Sequence, residues 1–289
     1  MINTSALQPA DHREYEFADK TFCLTLNSEM PTIANFIESR LAPTQHALDL
    51  GDGCHRDEGT ALGAFLGAKI TAQQAAASIT APVLREPDPA AAVHRLMGLL
   101  CEALVELGAD HRTQLLDLLE AIQQLPPSER IDWPRLPNFG HMWADLYRLH
   151  MHGLDGWEKT EMPLSEARKS ELCHHEESVA AAEAQMYRRG LGGVTRHWGY
   201  AWLNLVQGRR PGLGVFIRGA YIWLAEAGVR LKQELQPGEV ARYGGQSSVE
   251  ATMPEHWELW RRSFLSISRD EQLFPADDRK LAAECYKLM

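Results

Sequence analysis

The sequence predicts an all-α fold: a single multi-helix globular domain of about ten helices with no significant β-sheet. Three observations predict it. Apolar residues recur at helical spacing along most of the chain. Cap and stop residues bracket those segments. Strand-like alternation bounded by turn residues is nearly absent. The chain has 289 residues, 45% of them apolar, enough to bury a sizeable core.

The elements follow in order. Residues 1–30 hold no periodic pattern and read as a poorly ordered N-terminal arm, so the helical domain is placed at 31–289. TIANFIESRL (Thr32–Leu41) carries apolar residues at helical spacing and stops before Pro43. GTALGAFLGAKI (Gly59–Ile70) is short and apolar. Thr71 suits the N-cap of AQQAAASI, because its hydroxyl can accept a free first-turn amide. Pro87-Asp88-Pro89 opens a long helix, in which Val93, Leu96, Met97, Leu100, Leu104 and Leu107 keep the helical period up to a stop at Gly108. HRTQLLDLLEAIQQL (His111–Leu125) ends at Pro126-Pro127.

The prolines of DWPRLPNFG (Asp132–Gly140) fix an extended connection, and 132–138 is the one candidate boundary between lobes. Phe139, Trp143, Leu146 or Tyr147, and His150 then share a helical face. A charged, Ala-rich helix spans Ser165–Arg189 and breaks at GLGG. VTRHWGYAWLNLV (Val194–Val206), LGVFIRGAYIWLAEAGVRLKQEL (Leu213–Leu235), MPEHWELWRRSFLSI and PADDRKLAAECYKL are the remaining helices.

Composition excludes some functions. The formal charge is −10, and no basic cluster exceeds a pair such as Arg209-Arg210 or Arg261-Arg262. Such a chain repels phosphate backbones, so no nucleic-acid partner is expected. No run of about 18 apolar residues occurs, so no membrane span is expected. The N-terminus is polar and acidic, unlike a signal or transit peptide. Cys23, Cys54, Cys101, Cys173 and Cys285 are odd in number and widely spaced, which suits free thiols in a reducing, cytoplasmic setting.

LDLGDGCHRDEG (Leu48–Gly59) resembles the strand–glycine-turn opening LDxGxGxG of some S-adenosylmethionine-dependent methyltransferases. That site needs a strand joined to a helix by the glycine turn. Here His55 stands in place of the third glycine, and Gln73 and Gln74 replace the acidic residue that would hold the ribose. A polar loop between helices with glycines at its turns is the better reading. Asp49, Asp52, Asp57 and Glu58 do not have calcium-loop spacing. ELCH (Glu171–His174) is an isolated ExxH, where a di-iron bundle needs two. His174, His175, Glu176 and Glu177 read instead as a solvated helix face. Asp277-Asp278 is the only Asp-Asp pair and does not form the DDxxD of metal-dependent terpene cyclases. No metal and no cofactor is expected.

The second half is rich in rings. Trp143, Tyr147 and His150 share a face; His197, Trp198, Tyr200 and Trp202 crowd one helix; Phe216, Tyr221, Trp223 and Glu226 follow. Such a set builds an aromatic core, and it can also line an apolar pocket with a few convergent polar groups.

From Thr71 on, the order of features resembles a fungal family, the domain-of-unknown-function family 3632. The likeness rests on TAQQAA, HRTQLLDLLEAIQQLP, DWPRLPNFGHMWADLYR, AYIWLAEAGVRL, and RYGG followed by HWELWRRSFLSI. It covers roughly residues 71–289. The sequence departs at Ala144-Asp145, where the family has Arg-Glu, and at Tyr147, where it has tryptophan. The resemblance implies an all-helical fold. Fungal families of this kind often lie beside secondary-metabolite genes, which implies a biosynthetic setting.

Two functional expectations follow. One is a cofactor-independent fungal enzyme of secondary metabolism. It binds a small apolar metabolite in an aromatic-lined pocket and guides a cyclisation or isomerisation, pericyclic ones included, largely by orientation. Its candidate catalytic residues are Tyr147, His150, His197, Tyr200 and Asp145, and its candidate walls are Trp143, Trp202, Trp223, Phe139 and Phe216. The other is a non-catalytic helical ligand carrier or protein-interaction module. Homo-oligomerisation stays open under both.

Overall fold

The computed structural model describes residues 31–49, 52–148, 164–207, 212–239 and 252–289. Among them are twelve α-helices and no strand. The sequence-predicted arm and His150 lie outside the described residues.

The N-terminal helices are α1 (Ile33–Arg40), α2 (Gln45–Asp49) and α3 (Arg56–Leu66). Between α2 and α3 runs the described part of the LDLGDGCH stretch, and it forms a turn. The Ala42 amide donates to the Cys54 carbonyl at 3.1 Å and the Cys54 amide to the Arg40 carbonyl at 2.8 Å, an isolated parallel bridge. Gly53 sits at φ +78°, and a Cβ there would lie 2.8 Å from the Ala42 nitrogen. Both facts require glycine. His55 is the N-cap of α3, and Glu58 reaches back to accept its amide at 2.8 Å. The glycines therefore serve a loop-to-helix junction.

Next come α4 (Ala72–Arg85), α5 (Pro89–Glu106) and α6 (Gly108–Gln123). Thr71 caps α4 as its sequence predicts. Its hydroxyl accepts the Gln74 amide at 3.3 Å, and Gln74 accepts the Thr71 amide at 2.9 Å. Thr71→Ala is expected to cost about 1 kcal/mol of stability, read from a urea unfolding curve. Asp88 caps α5, accepting the Ala91 amide at 3.1 Å, with Pro89 in the first turn. The apolar stripe of α5 is fully buried from Val93 to Leu104. The helix packs against α4, α6, α7 and α8, which makes it a central element of the core.

A 3₁₀ turn (Trp133–Arg135) follows, packed on α6, with Trp133 and Leu136 buried. The 132–138 segment thus lies against the core. α7 (Phe139–Trp143) continues into a π turn (Ala144–Arg148). The wider π turn breaks the regular i→i−4 ladder and re-aims side chains.

α8 (Glu166–Arg189) ends at Gly190 in the left-handed region. α9 (Arg196–Leu205), α10 (Leu213–Gln233), α11 (Met253–Arg269) and α12 (Ala276–Leu288) complete the order. α10 lies along α8 and also touches α9 and α12; α11 packs on α12. α9 meets α10 closely at Gly219, where a Cβ would lie 2.2 Å from the Trp202 ring. Gly219→Ala is therefore expected to cost about 3 kcal/mol, because neither the helix backbone nor the packed indole has room to give. An unchanged urea midpoint would show that Trp202 can move.

No described helix is long and apolar enough to cross a membrane. Cys54, Cys101, Cys173 and Cys285 are free thiols.

Candidate functional site

The best-defined polar feature of the interior is on α8. Glu183 is buried, flanked by Ala182 and Ala184, which are buried too. The Trp143 indole donates to its Oε1 at 2.9 Å, and the Trp202 indole to its Oε2 at 2.7 Å. One carboxyl thus joins the end of α7, the middle of α8 and the end of α9. Buried indole N–H groups need acceptors, and here a single side chain serves two.

Glu176 lies seven residues earlier on α8, on the same face. It lines a cleft with Tyr147, Val179, Glu183, Ala201, Trp202 and Leu205. The cavity volume is about 20 Å³, room for about one water. Its walls are mainly apolar, and its polar groups are two carboxyls and a phenol. Burial, with the nearby Glu183 carboxyl adding to it, pushes the Glu176 carboxyl up to about 7. An acid that titrates near neutrality is suited to give or take a proton at neutral pH.

Tyr147 projects from the π turn. Its hydroxyl donates to the Cys101 carbonyl at 3.2 Å, and burial raises it well above the ordinary phenol range. Its ring lies 4.8 Å from Trp143 and 5.6 Å from His175, centroid to centroid. Burial, aided by Arg168, lowers the His175 imidazole, so it is uncharged at neutral pH.

The solvated face expected for 174–177 divides in two. His174 is exposed and faces Glu177 at 3.7 Å, and Glu177 accepts from Arg218 at 3.1 Å. His175 and Glu176 turn inward toward Tyr147 and the cleft. The reason is the position of the π turn and α9, whose Tyr147 and Trp202 lie on that side of α8. In the isolated ExxH, Glu171 pairs with Arg168 at 3.0 Å. Among the described residues no group of three or more His, Cys, Asp or Glu is placed to hold a metal ion.

The structure places the sequence-predicted residues at several separate points. Tyr147 and Trp202 line the cleft, and Trp143 backs it through Glu183. Phe139 stacks on Trp143 with centroids 6.1 Å apart. Asp145 is exposed on the π turn. Tyr200 is fully buried; its hydroxyl donates to the Leu231 carbonyl at 2.8 Å, tying α9 to α10. His197 is half-exposed and lies 3.3 Å from Glu239. Trp223 is buried against Tyr187 at 5.6 Å, and Phe216 is buried in the α10 core. Tyr147, Trp143 and Trp202 are therefore brought together; Tyr200 and Trp223 belong to the α9–α10 packing, and His197 lies apart, beside Glu239.

The sequence reading did not select Glu176 and Glu183. A signal was present: Glu183 is the single acid in AAAEAQM, a run otherwise fit for burial, and Glu176 is two helical turns before it.

A second polar cluster lies under the LDLGDGCH turn. His55 Nε2 is 2.7 Å from Glu86, and Arg95 donates to Glu86 at 3.0 Å and to the Leu48 carbonyl at 2.9 Å. Glu58 is fully buried beside them, and burial raises its carboxyl. Burial, with Glu58 adding, pushes the Cys54 thiol up to about 12, which leaves it without nucleophilic thiolate at neutral pH. The cluster fastens the turn to α3, α4 and α5.

Comparison with family models, with curated proteins and with solved structures gave no match to this chain.

Proposed function

We propose that the chain is a cofactor-independent enzyme that isomerises or cyclises a small, largely apolar molecule at the cleft between the π turn, α8 and α9. The observation that supports this reading most is the convergence of Glu176, Glu183 and Tyr147 on one apolar cleft walled by Trp202. Glu176 is the proton donor or acceptor, Tyr147 orients the bound molecule, and Trp202 supplies a flat apolar wall. The resemblance of residues 71–289 to a fungal family supports, within this proposal, a setting in secondary metabolism.

Extracts of the source organism with and without the gene, compared by mass spectrometry, test the reading. The expected result is a precursor that accumulates in the deletion and that the purified protein converts to a product of equal mass, with or without a chelator. Glu176→Gln should lower kcat about 100-fold, the scale of a lost general acid or base. Identical extracts and no conversion would end the enzymatic reading.

The cleft's small volume favours a second reading. Ligand sites for drug-sized molecules enclose roughly 300–1,000 Å³, whereas this cleft holds about 20 Å³. On that reading the chain is a non-catalytic carrier or interaction module, and Glu183 is a structural anchor. Tryptophan fluorescence titrated with apolar ligands separates the two: saturable quenching that Trp202→Phe weakens supports the cleft, and no response supports the module.

A further inference from the structure

We infer that the cleft between the π turn, α8 and α9 receives the ammonium head of a primary amine, whose apolar body lies along the rim. The inference rests on the reading that this cleft binds the chain's small molecule, and it adds that molecule's charge and shape.

The lining offers acceptors and rings but no spare donor. Val179, Ala201 and Leu205 contribute apolar side chains. The Trp202 indole N–H is given to Glu183 at 2.7 Å, and the Tyr147 O–H to the Cys101 carbonyl at 3.2 Å. What the cleft presents to a ligand is the carboxyls of Glu176 and Glu183, the phenol oxygen and the rings of Tyr147 and Trp202. Above about 7 Glu176 is ionised. An ionised carboxylate only accepts hydrogen bonds, and an ammonium only donates them. A carboxylate or phosphate ligand would meet like charge here and no donor. An ammonium would gain a charge-assisted hydrogen bond, beside aromatic rings that also favour a cation.

Among the described residues, Glu176 is the acid of α8 without a partner. Glu166 pairs with Lys169, Glu171 with Arg168 and Glu177 with Arg218, and Glu183 serves the two indoles. No Lys, Arg or His lines the cleft. Glu176 is only partly buried, and its carboxyl oxygens reach solvent. A ligand therefore meets this carboxyl from outside, with no rearrangement of the helices. The formal charge of −10 draws cations toward the chain in preference to anions.

Size selects the head group. The cavity of about 20 Å³ seats about one water, and a primary ammonium is close to a water molecule in size. A trimethylammonium group is much larger and does not enter. The rest of the molecule stays at the mouth, where Val179, Ala201 and Leu205 give it apolar contact.

Titration of the full chain with hexylammonium at pH 8, followed by NMR of isotope-labelled tryptophan side chains, tests the inference; Trp202→Phe assigns the Trp202 indole signal. Hexylammonium should shift that signal saturably. Glu176→Gln, of equal shape at a position that water reaches, should weaken binding about 10-fold. Glu177→Gln removes the same charge one residue away, from an acid paired with Arg218, and should leave binding unchanged. Hexanol, hexanoate and tetramethylammonium at equal ionic strength should each bind at least about 10-fold more weakly than hexylammonium. No shift with hexylammonium, equal binding of hexanol or tetramethylammonium, or equal losses in the two variants overturns the inference. The reading beneath it fails separately. Hexanol binding as tightly, together with conversion in the extracts, sinks the amine and keeps the enzyme. Glu176-dependent amine binding without conversion keeps the amine and ends the enzymatic reading.

Discussion

Replacing Glu183 with alanine is expected to lower the stability of the chain by about 5 kcal/mol. The substitution leaves the indole N–H groups of Trp143 and Trp202 without their acceptor. An unsatisfied buried donor costs about 1–3 kcal/mol, and the lost side-chain volume leaves a cavity that adds to it. Glu183→Gln separates the polar from the packing contribution. Its amide oxygen serves one indole, but its NH₂ meets the other donor to donor, so about half of the loss should remain. Urea unfolding followed by tryptophan fluorescence measures both. If Glu183→Ala lost less than about 1 kcal/mol, neither indole would depend on this acceptor.

At pH 8, Glu176→Gln should be more stable than the wild type by up to about 3 kcal/mol, with little of that difference at pH 5. The native fold holds this carboxyl at about 7, against an ordinary value of 4.5. Between those values the native state binds more protons than the unfolded chain, so stability falls as pH rises. The fall begins near 4.5, is complete above about 7, and corresponds to about 3 kcal/mol for a shift of that size. Below 4.5 both states are protonated and the contribution of Glu176 to the pH dependence vanishes. Glutamine does not titrate, so the variant lacks this slope. Unfolding midpoints at pH 5, 6, 7 and 8 give the comparison. Parallel pH dependence in the two proteins would falsify the raised titration of Glu176.

The helices were legible because their causes are local. Thr71 and Gln74 lie three residues apart and cap α4; Asp88 and Pro89 start α5; Gly190 ends α8. The LDLGDGCH stretch was legible as a turn for the same reason: His55 and Glu58 form their cap within one helical turn. The site was only partly legible. The ring-rich faces of α7 and α9 were visible as amphipathic patterns, and Trp143, Tyr147 and Trp202 do meet. The acids on α8 were read as solvated because HHEE is polar in composition. Nothing within a few residues of Glu176 reveals that the π turn and α9 lie beside it.

The amino-acid order by itself therefore determined that the chain is helical, where most of its helices begin and end, and that its second half gathers rings. Those properties depend on backbone hydrogen bonds and side chains no more than a few residues apart. Only the tertiary structure decided which carboxyl is buried, which titrates near neutrality and which rings surround it. Glu183 meets one indole 40 residues away and another 19 residues away. A buried acid is defined by what excludes water from it, and here that work is done by helices distant in the sequence.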